Sequence, residues 1–333
     1  MRPFDKPALT IPAQIELLKG RGLSIRDDAR AAALLEVVSL FRLSPYMRSF
    51  QQNPDHRFRQ GTTLADIVTL YRFDRELRNL VMDAVERVEV AARACISNVM
   101  ATRYHDPHWY LRRELFKDNY DHARLLGELR EKMDEERRHF AREQQRIERS
   151  QVNEVIKRQR IERRKRDNYF RFYGHTYNAP DLPPSWAVLE VLSMGALSRL
   201  YQGIARDADR KLIAARFQLP QHVLGSWLHT FTFVRNCCAH HARLWNRELA
   251  IPPKIPSKAH WHWPDTRRRQ PHPERRIFVV LLMLVHLMRH VSPDSHWQTR
   301  LDALLKRYPE VPLTSMGFVE HWRELLIWRE VKQ

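Results

Sequence analysis

A chain of 333 residues with 57 Lys and Arg against 39 Asp and Glu carries a formal charge of +18, and 43% of its residues are hydrophobic. That apolar content excludes global disorder, while 9 glycines fall below half of the usual ~7% share. Sheet-rich folds and phosphate-cradling loops both draw on glycine for turns with positive φ, so the composition points to an all-α fold.

The first segment, residues 1–60, reads as an N-terminal helical segment. It opens on loops at Lys6-Pro7 and Ile11-Pro12. A short helix from Ala13 to Lys19 is stopped by Gly20 and Gly22, and a second from Arg26 to Arg42 is stopped at Ser44-Pro45-Tyr46. Both read as lids on a larger body. No apolar run of signal-peptide type occurs here. Residues 61–120 form the first part of a helical core. From Thr62 to about Arg103, apolar residues fall at positions 64, 67/68, 71, 77, 80/81, 84/85, 88, 91/92, 95/96 and 99, the spacing of one helical face. Thr63 with Asp66 predicts a capping box, and Asp106-Pro107 closes the run. The polar face is expected to carry Asp74 with Arg78 and Glu89 with Arg93, pairs worth ~0.2 to 0.5 kcal/mol each.

Residues 121–178 change character and read as a charged, basic helical arm, polar all round and extended into solvent. At its end Lys157, Arg158, Arg160, Arg163, Arg164, Lys165 and Arg166 surround the single Glu162, with Tyr169, Phe170, Phe172 and Tyr173 just beyond. Such a block beside aromatic rings suits RNA phosphates and stacked bases; the alternative is a solvated arm without a ligand. The second part of the core, residues 179–291, starts at a turn with Pro180, Pro183 and Pro184. Helices follow from Trp186 to Ile204 and from Gln221 to about Asn246. A Pro-rich loop over 251–273 contains His260-Trp261-His262-Trp263 and Arg267-Arg268-Arg269. A helix of buried type runs from Arg275 to His290; its apolar stretch is far short of the ~20 residues that span a bilayer. Residues 292–333 end the chain with a helical pair, Trp297 to Arg307 and Gly317 to Glu330. With Cys95, Cys237 and Cys238 too few for a disulfide framework, the expectation is a cytoplasmic protein with no membrane partner. Its excess positive charge favours a polyanion, nucleic acid first.

Chemistry concentrates in the stretch from Phe233 to Arg247, where Arg235, Asn236, Cys237, Cys238, His240, His241, Arg243 and Arg247 crowd one helix end. Asn236 and His240 share a helical face, whereas Arg235 and His240 stand about 140° apart on an ideal helix. They converge only if the arginine curls round or a second copy supplies the partner. An imidazole passes protons near neutral pH and a guanidinium binds phosphate oxygens bidentately. The set therefore suits metal-independent RNA cleavage, in which the ribose 2′-oxygen attacks its own phosphate. Three other readings use the same residues. A zinc site from Cys237, Cys238, His240 and His241 is disfavoured because adjacent ligands on a helix diverge by about 100°. A Cys237 nucleophile with His241 lacks an oxyanion-forming glycine turn. Structural histidines and surface arginines remain the bland possibility.

The run Val234-Arg235-Asn236-Cys237-Cys238-Ala239-His240-His241-Ala242-Arg243-Leu244-Trp245-Asn246-Arg247 resembles the signature of the Abi-like abortive-infection proteins, the AbiD/AbiF group of the HEPN superfamily. Further segments are similar to that family: Lys6-Pro7 with Gly22-Leu23, Phe73-Asp74 with Leu77-Arg78, Glu86 to Arg93, Pro184 with Trp186, Ser193 to Leu197, and Met316-Gly317-Phe318 with Trp322. The resemblance implies a HEPN-type helical bundle and a ribonuclease toxin of phage defence that needs no metal or cofactor. It assigns Arg235 to phosphate binding, Asn236 to the polar neighbour and His240 to catalysis, with His241, Arg243 and Arg247 as a second tier; Glu89 and Arg93 are placed in that tier too, either reaching the site or bracing the long helix. It also implies a homodimer whose two motifs face each other, and a small noncoding RNA as antitoxin. The alternative is a non-catalytic RNA-binding effector that uses the same basic residues.

Overall fold

A computed structural model describes residues 3, 7–52, 54–257, 261 and 275–329. Lys6, His260, His262, Trp263, Arg267, Arg268, Arg269 and Glu330 lie outside the described residues. Among those described, thirteen α-helices and one two-stranded hairpin make an all-α fold. The N-terminal segment holds α1 (Ile11–Gly20), α2 (Asp28–Val38) and α3 (Leu40–Met47), followed by the hairpin of Gln51–Gln52 with Arg57–Phe58. The predicted second helix is broken in two at Ser39, which takes φ +56° and caps α3 through the Arg42 amide. It does not stop at Pro45 but runs on to Met47. These helices bury Leu18, Leu35, Leu43, Tyr46 and Met47 in the common core.

The long helix α4 (Leu64–Tyr104) spans 41 residues, about 60 Å at 1.5 Å per residue. Its capping box forms as expected: Thr63 accepts from the Asp66 amide at 3.2 Å, and Asp66 accepts from the Thr63 amide at 2.8 Å. Later helices lie along it in three groups. The first, α8 (Ser185–Val191) with α9 (Met194–Gly203), replaces the single helix expected over 186–204, because Ser193 leaves helical geometry and caps α9. Next come α10 (Asp207–Ala215) and α11 (Gln221–Ala239), the latter packed on α9, α4 and α10. Then α12 (Ile277–Val291), whose side chains from Ile277 to Met288 are all buried, fills the centre against α4. No single described helix is long and apolar enough to cross a membrane.

The charged arm folds as α5 (His122–Glu148), α6 (Glu154–Arg166) and α7 (Tyr169–Thr176). Of the three, only α6 has no fully buried residue, and its Val155 and Ile156 are exposed. α5 buries Leu125, Leu129, Met133 and Phe140, a stripe that the density of charges hid in the sequence. Arg171 of α7 is buried against it, donating to Glu136 at 2.7 Å and Glu143 at 2.9 Å, with its guanidinium over the Phe140 ring. Phe170 and Tyr173 are buried as well, so the expected stacking platform reduces to exposed Tyr169 and half-buried Phe172.

At the C-terminus α13 (Trp297–Arg307) matches its predicted bounds. The expected helix over 317–330 is instead a pair of single 3₁₀ turns, Leu313–Met316 and Trp322–Glu324, on either side of Gly317. Gly317 takes φ +92°, and a Cβ added there would lie 2.5 Å from the Arg276 Cβ. Both the backbone and the packing require glycine. Gly317→Ala is therefore expected to cost about 1 to 3 kcal/mol, read as a lowered midpoint in chemical denaturation without loss of helical circular dichroism.

Candidate functional site

The helix α11 ends earlier than its sequence spacing suggests, and the way it ends shapes the site. Helical geometry stops at Ala239, with His240 as the cap. The His241 amide then donates to the Cys238 carbonyl at 3.0 Å and the Ala242 amide to the Cys237 carbonyl at 2.8 Å. These two bonds form a Schellman ending, whose left-handed position glycine normally occupies. Here His241 holds it at φ +55°. Residues Arg243 to Arg247, expected in the helix, lie in the loop beyond.

What pulls the chain away is a carboxylate on α4. Asp74 is fully buried and accepts from the Leu244 amide at 3.0 Å and the Trp245 amide at 2.6 Å. The Tyr46 hydroxyl and the Arg78 guanidinium also donate to it. The Asp74–Arg78 pair, assigned above to the polar face, is thus buried and not a solvated surface pair. Burial pushes the Asp74 carboxyl up from its ordinary value, opposed by Arg78, the Tyr46 hydroxyl and the two amides. The N-terminal helices complete the clamp: Arg42 donates to the His241 carbonyl at 2.7 Å, and Arg243 to the Pro45 carbonyl at 3.0 Å. Burial depresses the Arg243 guanidinium. Arg247 donates to the Arg243 carbonyl at 2.8 Å and lies 5.9 Å from the Phe233 ring centre. Arg243 and Arg247 are therefore committed to holding the turn.

Asn236, His240 and His241 are exposed, and their side chains make no hydrogen bond to another described residue. Arg235 is half-buried, with its Nε fully buried and unpartnered. Its aspect of the helix lines a cleft of about 600 Å³ that also holds Glu89, Arg93, Glu190 and the α5 residues Glu128, Glu131, Lys132 and Glu135. The structure thus brings second-tier Glu89 and Arg93 to the side of Arg235. Arg93 bonds to Glu89, to the Glu190 carbonyl and, at 2.9 Å, to the Leu192 carbonyl, bracing the turn between α8 and α9. His240 is exposed at the helix cap, five residues on from Arg235, a spacing that on an ideal helix is about 140° round.

The other chemistries find little to work with. Burial pushes the Cys237 thiol up, and the Cys238 thiol up to about 12, which suppresses the thiolate. No group of three or more metal-ligating side chains occurs among the described residues. On α6, Lys157 pairs with Glu154 at 2.9 Å and Arg164 with Asp167 at 3.2 Å. Arg158, Arg160, Arg163 and Arg166 are exposed, spread around the helix, and form no ion pair with a described residue, while Lys165 is half-buried. Reading the sequence alone missed Tyr46, Arg42, the partnership of Asp74 with the turn, and the acidic residues of α5. For Asp74 a signal existed: position 74 fills the gap between 71 and 77 in the apolar stripe of α4.

Together these features define an all-helical protein that displays an Arg-Asn-x3-His-His set at the capped end of a core helix. A family model described as Abi-like protein matches residues 33–246, and the chain belongs to that family. Membership points to abortive infection, a form of phage defence. No curated protein and no solved structure gave a match.

Two changes separate the clamp from the exposed set. Asp74→Ala leaves Arg78 buried without its partner and is expected to cost about 3 to 5 kcal/mol in urea denaturation. His241→Gly relieves the left-handed backbone and is expected to add about 1 kcal/mol, read in the same titration.

Proposed function

We propose that the chain is a metal-independent endoribonuclease of the HEPN type that acts as a toxin in abortive infection. The observation that carries this reading is the uncommitted state of the motif. Arg235, Asn236 and His240 cluster at one helix end, none has a side-chain polar atom bonded to a described residue, and Arg42, Arg243 and Arg247 hold the turn that follows through the His241, Pro45 and Arg243 carbonyls. Arg235 is the telling member, because a buried guanidinium nitrogen in a purely structural role is normally bonded.

In the proposed reaction Arg235 binds the scissile phosphate, whose charge rises as the 2′-oxygen attacks, and His240 moves the proton between the 2′-hydroxyl and the leaving 5′-oxygen. Asn236 orients His240 or donates to a phosphate oxygen. Products carry a 2′,3′-cyclic phosphate and a 5′-hydroxyl, and no cofactor enters. Because Arg235 and His240 lie on different aspects of α11, two copies pairing about this helix end place the arginine of one beside the histidine of the other. The proposed active form is a cytoplasmic homodimer. The exposed arginines of α6 hold RNA, whether the substrate or a noncoding antitoxin RNA.

The test is cleavage of end-labelled RNA by purified protein in EDTA. Arg235→Ala and His240→Ala are each expected to lower the rate at least ~100-fold with unchanged thermal melting, and the wild-type ends to be cyclic phosphates. Undiminished cleavage in either variant would refute the assignment. For α6, Arg163→Ala with Arg166→Ala is expected to reduce the slope of log affinity against log salt by about 1.4, or ~0.7 per lost phosphate contact to a single strand.

A further inference from the structure

The chain is strongly basic, yet the cleft lined by Arg235 is acidic. It gathers Glu89, Glu128, Glu131, Glu135 and Glu190 against Arg93, Lys132 and Arg235. Three of these carboxylates, Glu128, Glu131 and Glu135, form one row on α5, spaced by three and four residues. Like charges at that spacing repel, and on a solvated helix they bring no benefit unless a cation faces them. Glu128 is paired with Arg124 at 2.9 Å on its own helix. Glu131 and Glu135 are exposed and make no ion pair with a described residue.

Opposite them, Arg93 is already taken by Glu89 and the backbone of the α8–α9 turn. Arg235, with its unpartnered Nε, is the uncommitted guanidinium on the far wall. The row is held in place from behind, because α5 is anchored through Leu125, Leu129 and Met133 and is clamped to α7 by Arg171. A second hollow continues the cleft past Lys132 and Glu135 to the exposed Arg138 and Arg142. One surface groove thus runs from bases on the outer part of α5, past two free carboxylates, to Arg235.

We infer that Glu131 and Glu135 form an electrostatic gate, an intramolecular substitute for RNA phosphate that shields Arg235 until RNA arriving along the arm displaces it. The inference rests on the reading of Arg235 as a phosphate ligand. Both glutamates have long, exposed side chains, so the gate opens by side-chain rotation while α5 stays seated. The acidic row sets a threshold: RNA held by several basic contacts on the arm enters, whereas a short or weakly held anion is repelled.

The experiment measures binding of a fluorescein-labelled single-stranded RNA to the full chain, carrying His240→Ala throughout so that the RNA stays intact. Glu131→Gln with Glu135→Gln is expected to tighten binding about fivefold at low salt, the scale of exposed charge–charge interactions. Adding Arg235→Ala is expected to abolish the gain. The remote exposed pair Glu36→Gln with Glu310→Gln, which changes net charge equally, is expected to give much less. An equal gain from the remote pair, an equal gain without Arg235, or no gain would each overturn the gate. The two readings fail separately. If Arg235→Ala does not weaken RNA binding in the Glu131→Gln, Glu135→Gln protein, the phosphate role of Arg235 is wrong; if it does, but the glutamates have no effect, only the gate is lost. Thermal melting of each variant verifies that the exposed substitutions leave the fold intact.

Discussion

The buried carboxylate of Asp74 fixes where α11 stops. Four donors from three parts of the chain converge on it: the Tyr46 hydroxyl from α3, Arg78 from α4, and the Leu244 and Trp245 amides beyond α11. A buried ion pair is a poor source of net stability, because desolvating both charges offsets most of their attraction. Its consequence here is positional. Without an acceptor at this point, the amides of residues 244 and 245 would have no reason to leave the helix, and the 3.6-residue periodicity would carry α11 onward. With it, the chain turns at His241, and Arg42 and Arg243 lock the turn to the N-terminal helices through the His241 and Pro45 carbonyls. The N-terminal segment, read from sequence as a lid, is better described as one jaw of this clamp.

Commitment of side chains divides the signature into two kinds of residue. Arg243 and Arg247 spend their donors on backbone carbonyls and a ring face, so their positive charge serves the turn. Asn236, His240 and His241 have none of their side-chain donors engaged by described residues, and Arg235 has an unsatisfied buried Nε. A buried unsatisfied polar atom, as at Arg235, and a non-glycine residue at φ +55°, as at His241, both cost free energy in the resting protein. That cost falls on Arg235 and His241, while the flanking Arg243 and Arg247 are engaged by the turn, which divides the signature into free and engaged residues.

Long-range regularities were legible in the sequence and local terminations were not. The apolar stripe and capping box gave α4 to within a residue or two, and α12 and α13 followed from their patterning, because periodicity over many turns averages out individual exceptions. The breaks at Ser39, at Leu192 and Ser193, and after Ala239 escaped, since each depends on one capping group or on a partner far away in the chain. Asp74 lies 170 residues from Leu244, a separation that no local rule spans. The buried stripe of α5 was obscured for a different reason: four apolar side chains among many charges carry most of the packing but little of the composition. At the site, the residue types were legible and their division into engaged and free was not, because that division is a matter of distances.

Net charge was the least transferable of the sequence signals. A value of +18 describes the field far from the protein, where individual charges merge, and there it favours any polyanion. Within a Debye length of about 8 to 10 Å the arrangement of single groups takes over. The bases concentrate on α6 and on the outer part of α5, while the wall facing Arg235 carries Glu131 and Glu135. Attraction at long range and repulsion at short range are therefore built into one arm, on successive stretches of the same helices. On the reading proposed above, a polyanion drawn by the first outcompetes the second only with enough simultaneous contacts along the basic stretch to offset the local repulsion. Under that proposal, discrimination between a long, many-contact strand and a small anion follows from Coulomb's law and the placement of two glutamates, with no need for contacts to particular bases.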